Sequence, residues 1–114
     1  MIYKVEPTNY TITLRATHTK ERYPIAYASI AIEELDGKKV GKLGGMIRRN
    51  EFKGHGICFD LVTRRINICK SLGCSQVYSA VYYKREGLIK IYESLGFREI
   101  EPLTKEYRRF IKEI

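Results

Sequence analysis

Phe52-Lys53-Gly54-His55-Gly56-Ile57-Cys58-Phe59-Asp60-Leu61-Val62 is the stretch in which the chain changes its period. Residues 38–49 ahead of it read as a strand. Behind it Ile57, Cys58, Leu61, Val62, Ile66, Cys69 and Leu72 recur at three- and four-residue spacings, which is one face of a helix. Asp60 falls in the first turn, Arg64, Arg65 and Lys70 come later, and Gly73 stops the helix, all in keeping with the helix dipole and a glycine C-terminus. A glycine-bearing loop at a helix start exposes amide groups with no intrahelical acceptor, adds the dipole's positive potential, and lets the backbone approach an anion closely. Residues 53–58 are therefore a candidate phosphate cradle. Two common phosphate motifs do not fit: GxGxxG would need glycine at 59, where Phe59 stands, and no Gly-Lys-Ser/Thr run occurs.

Upstream, Tyr10 to Ala16 alternates with period two and reads as a strand, with a short strand at Ile2 to Val5 before it and a polar connection at Thr17 to Arg22. Pro24 to Leu35 and Lys38 to Arg49 read as two long strands joined by the hairpin signal Asp36-Gly37. Gly41, Gly44 and Gly45 inside the second of these suggest a bulge or a place where a backbone or ligand comes close. Downstream, Gln76 to Tyr83 is a β-branched and aromatic strand. Lys84 to Leu95 is a second helix, with Leu88, Ile91, Tyr92 and Leu95 on one face and Gly96 at its end; Phe97 to Glu101 is a strand. Tyr107 to Ile114 fits either a helix or a closing antiparallel strand. The order predicts an α/β or α+β layer with helices packed on a mixed sheet.

At 114 residues the chain is expected to form a single domain, residues 1–114. The composition, 44% hydrophobic and 30% charged, is that of a globular protein and excludes a disordered or collagen-like chain. No uncharged run approaches the roughly 20 residues of a membrane span. The N-terminus carries no signal-peptide pattern, so the expected location is cytoplasmic. Cys58, Cys69 and Cys74 lack CxxC spacing, which suits reduced, mostly buried thiols; His55 and Cys58 alone do not make a metal site, and no metal is expected. The net charge of +8 favours a polyanionic partner, with nucleic acid and a phosphorylated cofactor both open.

The loop resembles motif A of the GNAT family of N-acetyltransferases, Gln/Arg-x-x-Gly-x-Gly/Ala, with Lys53, Gly56 and Cys58 in the three defined positions. Lys replaces Gln/Arg and Cys replaces Gly/Ala. Ile91-Tyr92-Glu93-Ser94-Leu95-Gly96-Phe97 looks like the same family's motif B, a Tyr-bearing helix ending at Gly-Phe. The resemblance covers roughly residues 24 to 101. It implies a mixed, mostly antiparallel central sheet with helices packed on its faces, and an acetyl-CoA-dependent transfer of an acetyl group to an amine.

The resemblance further implies that residues 42–49 and 76–83 splay apart to admit the pantetheine arm. Gly54, His55, Gly56, Ile57 and Cys58 would hold the diphosphate with Lys53 supplying charge, and the main chain of Met46, Ile47 and Arg48 would contact the acetyl and pantetheine groups. Tyr92 would be the general acid. Arg85 stands where the family often has Asn, and is either a phosphate ligand or a solvated first-turn residue. No residue is singled out as general base: Glu33, Glu34, Glu51 and His55 carry no distinguishing mark. Relatives usually place about two helices between the first two strands, and these are missing here. An open acceptor side is therefore expected, fitting a protein or RNA-linked amine, or a pocket completed by a second subunit in a homodimer. A non-catalytic module of the same fold, binding nucleic acid or a protein partner, is the alternative.

Overall fold

Asp36 and Gly37 both adopt positive φ, 52° and 76°, the two-residue hairpin geometry that matches the twist of flanking strands. They join β3 (Ala26–Leu35) to β4 (Lys38–Arg48). The computed structural model describes residues 2–7, 11–17, 23–54 and 56–114. The other elements are β1 (Ile2–Pro7), β2 (Thr11–Thr17), α1 (Ile57–Ser71), β5 (Gln76–Tyr82), α2 (Glu86–Ser94), β6 (Arg98–Ile100) and β7 (Tyr107–Glu113), with a short 3-10 turn at Asn50–Phe52. One seven-stranded sheet runs β1-β2-β3-β4-β5-β7-β6. Only β4 and β5 pair in parallel, so the sheet is mixed and mostly antiparallel.

The β4-α1-β5 and β5-α2-β6 connections both step the same way across the sheet, so right-handed crossovers place both helices on one face. Among the described residues the expected helices on the sheet's faces thus form a single helical layer. Leu14, Ile30, Leu43, Val77 and Phe110 point into it and meet Leu61, Val62 and Tyr92 from the helices. Alternate residues on the other face stay open: Tyr27 and its cross-strand partner Ile47 are exposed, as is Tyr82. β1 and β2 pair directly and antiparallel, from Ile2↔Thr17 to Pro7↔Ile12. No helix among the described residues is long and apolar enough to cross a membrane.

The ambiguous C-terminal stretch is a strand. It hydrogen-bonds β5 on one side (Tyr82↔Tyr107, Ser79↔Phe110) and β6 on the other, satisfying two strand edges that a helix there would leave open. Gly41 turns its missing side chain toward α1: a Cβ there would overlap Cys69 Sγ. Tyr10, His18 and the residues up to Arg22 lie outside the described residues.

On the open face the Tyr78 hydroxyl donates to Glu33 Oε2 at 2.6 Å. Burial, then the bond and charge of Glu33, push the Tyr78 phenol up to about 12. Burial and Asp60 likewise raise Tyr3 to about 12. A phenol raised in the folded state contributes stability that is full below its ordinary value near 10 and fades as pH climbs toward 12. Denaturation midpoints are expected to fall across that window, and Tyr78→Phe should flatten part of the decline.

Candidate active site

β4 and β5 form a parallel ladder only at Val40↔Gln76, Gly41↔Val77 and Lys42↔Tyr78. Beyond it the strands diverge. The cause lies one strand over, where a β-bulge shifts the β3–β4 register between Ala28↔Met46 and Ile30↔Leu43 and leaves Gly44 and Gly45 outside it. A bulge bends and twists its strand, which carries β4 away from β5. Gly44 is also pressed against Ser29, whose Oγ a Cβ would overlap.

The divergence opens a cleft of about 360 Å3, with Gly44, Gly45 and Met46 on one wall, Ser79 and Val81 on the other, and Tyr92 beneath. A second basin of about 380 Å3 continues from it toward the start of α1, edged by Arg48, Lys53, Cys58, Lys84 and Arg85. Arg85 and Leu88 border both. The apolar end of the groove is thus the inner one and the cationic end the outer, a gradient suited to an elongated ligand with an anionic tail.

Tyr92 is held from three directions. Its ring packs on Phe97 at 4.7 Å and stacks with Phe110 at 6.0 Å between centroids. Its hydroxyl donates to Ser79 Oγ at 3.1 Å, and Ser79 Oγ–H donates to the Leu43 carbonyl at 3.1 Å. The ring thus belongs to the core while the residue also lines the floor of the cleft. Arg85, at the N-cap of α2, sends Nη1 across the gap to the Met46 carbonyl at 3.1 Å. Arg48 Nη1 lies 3.5 Å from Cys58 Sγ.

Not every predicted residue presents a side chain to the groove. Ile47 faces the open side of the sheet, 70% exposed, and the Ile57 side chain is buried under α1, so each offers the groove main chain only. Met46 also turns its side chain into the core. Gly54 and Gly56 take φ of 85° and 71°, the left-handed region that glycine enters without strain, and Gly56 is the N-cap of α1. His55 lies outside the described residues. Of the acidic residues, Glu33 is engaged by Tyr78 on the open face, and Glu51 pairs with Arg49 at 2.7 Å, a bond that holds its carboxyl below the usual range.

Sequence reasoning passed over two residues beside the cleft. Ser79 is a lone polar residue at an inward position of an apolar strand, between Val77 and Val81. Arg65, which the sequence marks only as one of the later cations of α1 that suit the helix dipole, is 0% exposed. Its position between Leu61 and Cys69, four residues from each, marks it as part of the buried face. Burial lowers its guanidinium from the ordinary value, an effect opposed by the nearby Tyr92 hydroxyl and by the Cys69 and Cys58 thiols.

The sequence matches the family model of the acetyltransferase (GNAT) family over residues 4–97. The chain belongs to the GNAT acetyltransferase family. Solved GNAT structures share its fold. The NatC complex bound to Gag peptide and CoA superposes with a TM-score of 0.78 at 17% identity, over 91% of this chain and 70% of that one. Arabidopsis thaliana NAA60 in complex with a bisubstrate analogue gives 0.81 at 14% identity, over 93% and 76%. A Trypanosoma brucei acetyltransferase gives 0.74 at 24% identity, over 83% and 67%. No curated protein sequence matches significantly. In this GNAT domain the strand divergence, the glycine loop and the Tyr-bearing helix occupy one continuous groove.

Proposed function

We propose that this GNAT domain transfers an acetyl group from acetyl-CoA to an amine by direct attack. The observation that carries the reading is the groove itself, in which unpaired strand edges of β4 and β5 lead from a cationic mouth to the Tyr92 hydroxyl. Pantetheine amides would pair with those edges as an added strand. The diphosphate would lie on the 54–58 loop beside Lys53. The Arg85 bond to the Met46 carbonyl occupies one such edge and would yield to the arm or move to a phosphate.

The amine lone pair attacks the thioester carbon, and a β4 amide N–H donates a hydrogen bond to the developing oxyanion. The C–S bond then breaks. Tyr92 Oη–H passes its proton to the departing sulfur, and the phenolate regains one from the acylated nitrogen. A phenolic O–H is a suitable proton donor to an alkyl thiolate.

Saturation with acetyl-CoA at about one hundred times Kd should stabilise the fold by about 2.7 kcal/mol. Lys53→Glu should weaken binding on the order of tenfold at low ionic strength, with the difference shrinking as salt rises. An unchanged melting curve under saturating acetyl-CoA would sink the reading.

The acceptor we infer is a macromolecular amine. The open sheet face supports this, since within the described residues it carries no helices to wall off a small pocket. One fold neighbour, the NatC complex bound to Gag peptide and CoA, lends further support to a peptide amine. The net charge of +8 supports a second reading, a non-catalytic nucleic-acid module. That reading requires steeply salt-dependent nucleic-acid binding with no response to CoA.

A further inference from the structure

Arg65 is a cation sealed in the layer between α1 and the sheet, and among the described residues it has no carboxylate partner. An isolated buried charge is costly unless its donors are met. Here they are met by a particular set. Nη1 donates to the carbonyls of Ser29 at 3.1 Å and Gly44 at 3.2 Å. Nε donates to the Leu61 carbonyl at 3.2 Å, and Nη2 lies 3.6 Å from Met46 Sδ. Ser29 and Gly44 are the two sides of the β3–β4 bulge. A bulge breaks the ladder locally and turns backbone oxygens out of it, here toward a dry interior. The guanidinium supplies what those oxygens lack, and it does so from α1, whose Cys58 edges the outer basin.

We propose that Arg65 is a positioning residue for acetyl transfer: its guanidinium clamps both sides of the β3–β4 bulge and thereby fixes the Gly44–Met46 wall of the cleft. The same wall provides the amide that meets the oxyanion, so the inference rests on the transfer reading for its kinetic consequence. Its guanidinium lies near the Tyr92 hydroxyl, yet three of its hydrogen bonds go to main-chain oxygens of the bulge and of α1. It acts through main chain, and leucine at this position would fill the space without holding the oxygens.

Two variants and two readouts test it. Arg65→Met keeps the length and removes the donors; Arg65→Lys keeps a cationic donor that can reach the bulge but not Leu61 and Met46 together. Displacing the wall should lower kcat per folded molecule roughly tenfold or more in Arg65→Met, with KM for acetyl-CoA held within about threefold. Arg65→Lys should recover part of the loss. A merely structural residue would lower the melting point and leave kcat per folded molecule intact. A kcat within about twofold of wild type in Arg65→Met, or a KM that rises in step with the loss, overturns the proposal. If Arg65→Met does not fold, Arg65→Lys decides: an intermediate kcat supports the clamp and a wild-type kcat refutes it.

Amide hydrogen exchange without acetyl-CoA separates this proposal from the transfer reading. Exchange at residues 43–47 should quicken in Arg65→Lys while β7 is unchanged, and equal exchange in the two proteins refutes the clamp whatever the activity. A wild-type protein that ignores acetyl-CoA removes the transfer reading and leaves the exchange result standing.

Discussion

Tyr92→Phe is expected to lower kcat by about a hundredfold or more while leaving acetyl-CoA affinity nearly unchanged. The ring keeps its contacts with Phe97 and Phe110, so the core under the cleft stays filled. What is lost is one hydroxyl and its bond to Ser79, a stability cost of about 1 kcal/mol. Single-turnover kinetics with calorimetric titration of acetyl-CoA separate the two effects. Equal losses in affinity and rate would mean that the phenol serves packing or binding rather than the departing sulfur. Ser79→Ala provides the control. It removes the partner of the hydroxyl and leaves the acid, so its rate should fall far less than that of Tyr92→Phe.

Gly41→Ala should be among the most damaging one-carbon changes in the sheet. The new Cβ overlaps Cys69 Sγ and comes within 3.3 Å of Cys69 Cβ and Val77 Cγ1, all in the fully buried seam between β4 and α1. Overpacking of this kind costs about 1–3 kcal/mol, which lowers the melting point by roughly 4–8 °C per kcal/mol in a domain near this size. Cys69→Ala vacates the overlapped position. The double variant is therefore expected to be more stable than the sum of the single changes, a coupling read directly from denaturation midpoints. Strict additivity would show that the glycine serves some purpose other than the approach of α1.

The parts of this fold that were legible in sequence are those set by near neighbours. The apolar face of α1 and the Asp36-Gly37 hairpin each depend on residues within a turn or two, and their boundaries moved by a residue or so. The glycines of β4 flagged a bulge or close approach, and they provide both: Gly41 meets Cys69, and Gly44 sits in the bulge against Ser29. What stayed hidden depends on distant strands. Tyr107 to Glu113 satisfies two periods equally well, and only the free edges of β5 and β6 choose the extended form. The placement of both helices on one face follows from strand order and handedness, which no local pattern contains. The burial of Arg65 is hidden for a related reason: the oxygens that draw it inward belong to residues 36 and 21 positions away.

The groove between β4 and β5 passes through a sheet that, among the described residues, carries a helical layer on one side only. A thioester seated there would be approached from the uncovered side, across ground marked by Tyr27, Ile47 and Tyr82 rather than down an enclosed shaft. Choice among nucleophiles then falls to the shape and charge of whatever comes to rest on that ground. In such a domain the acceptor, or a companion docked beside it, would complete the missing wall, and selectivity would then be a property of the assembly.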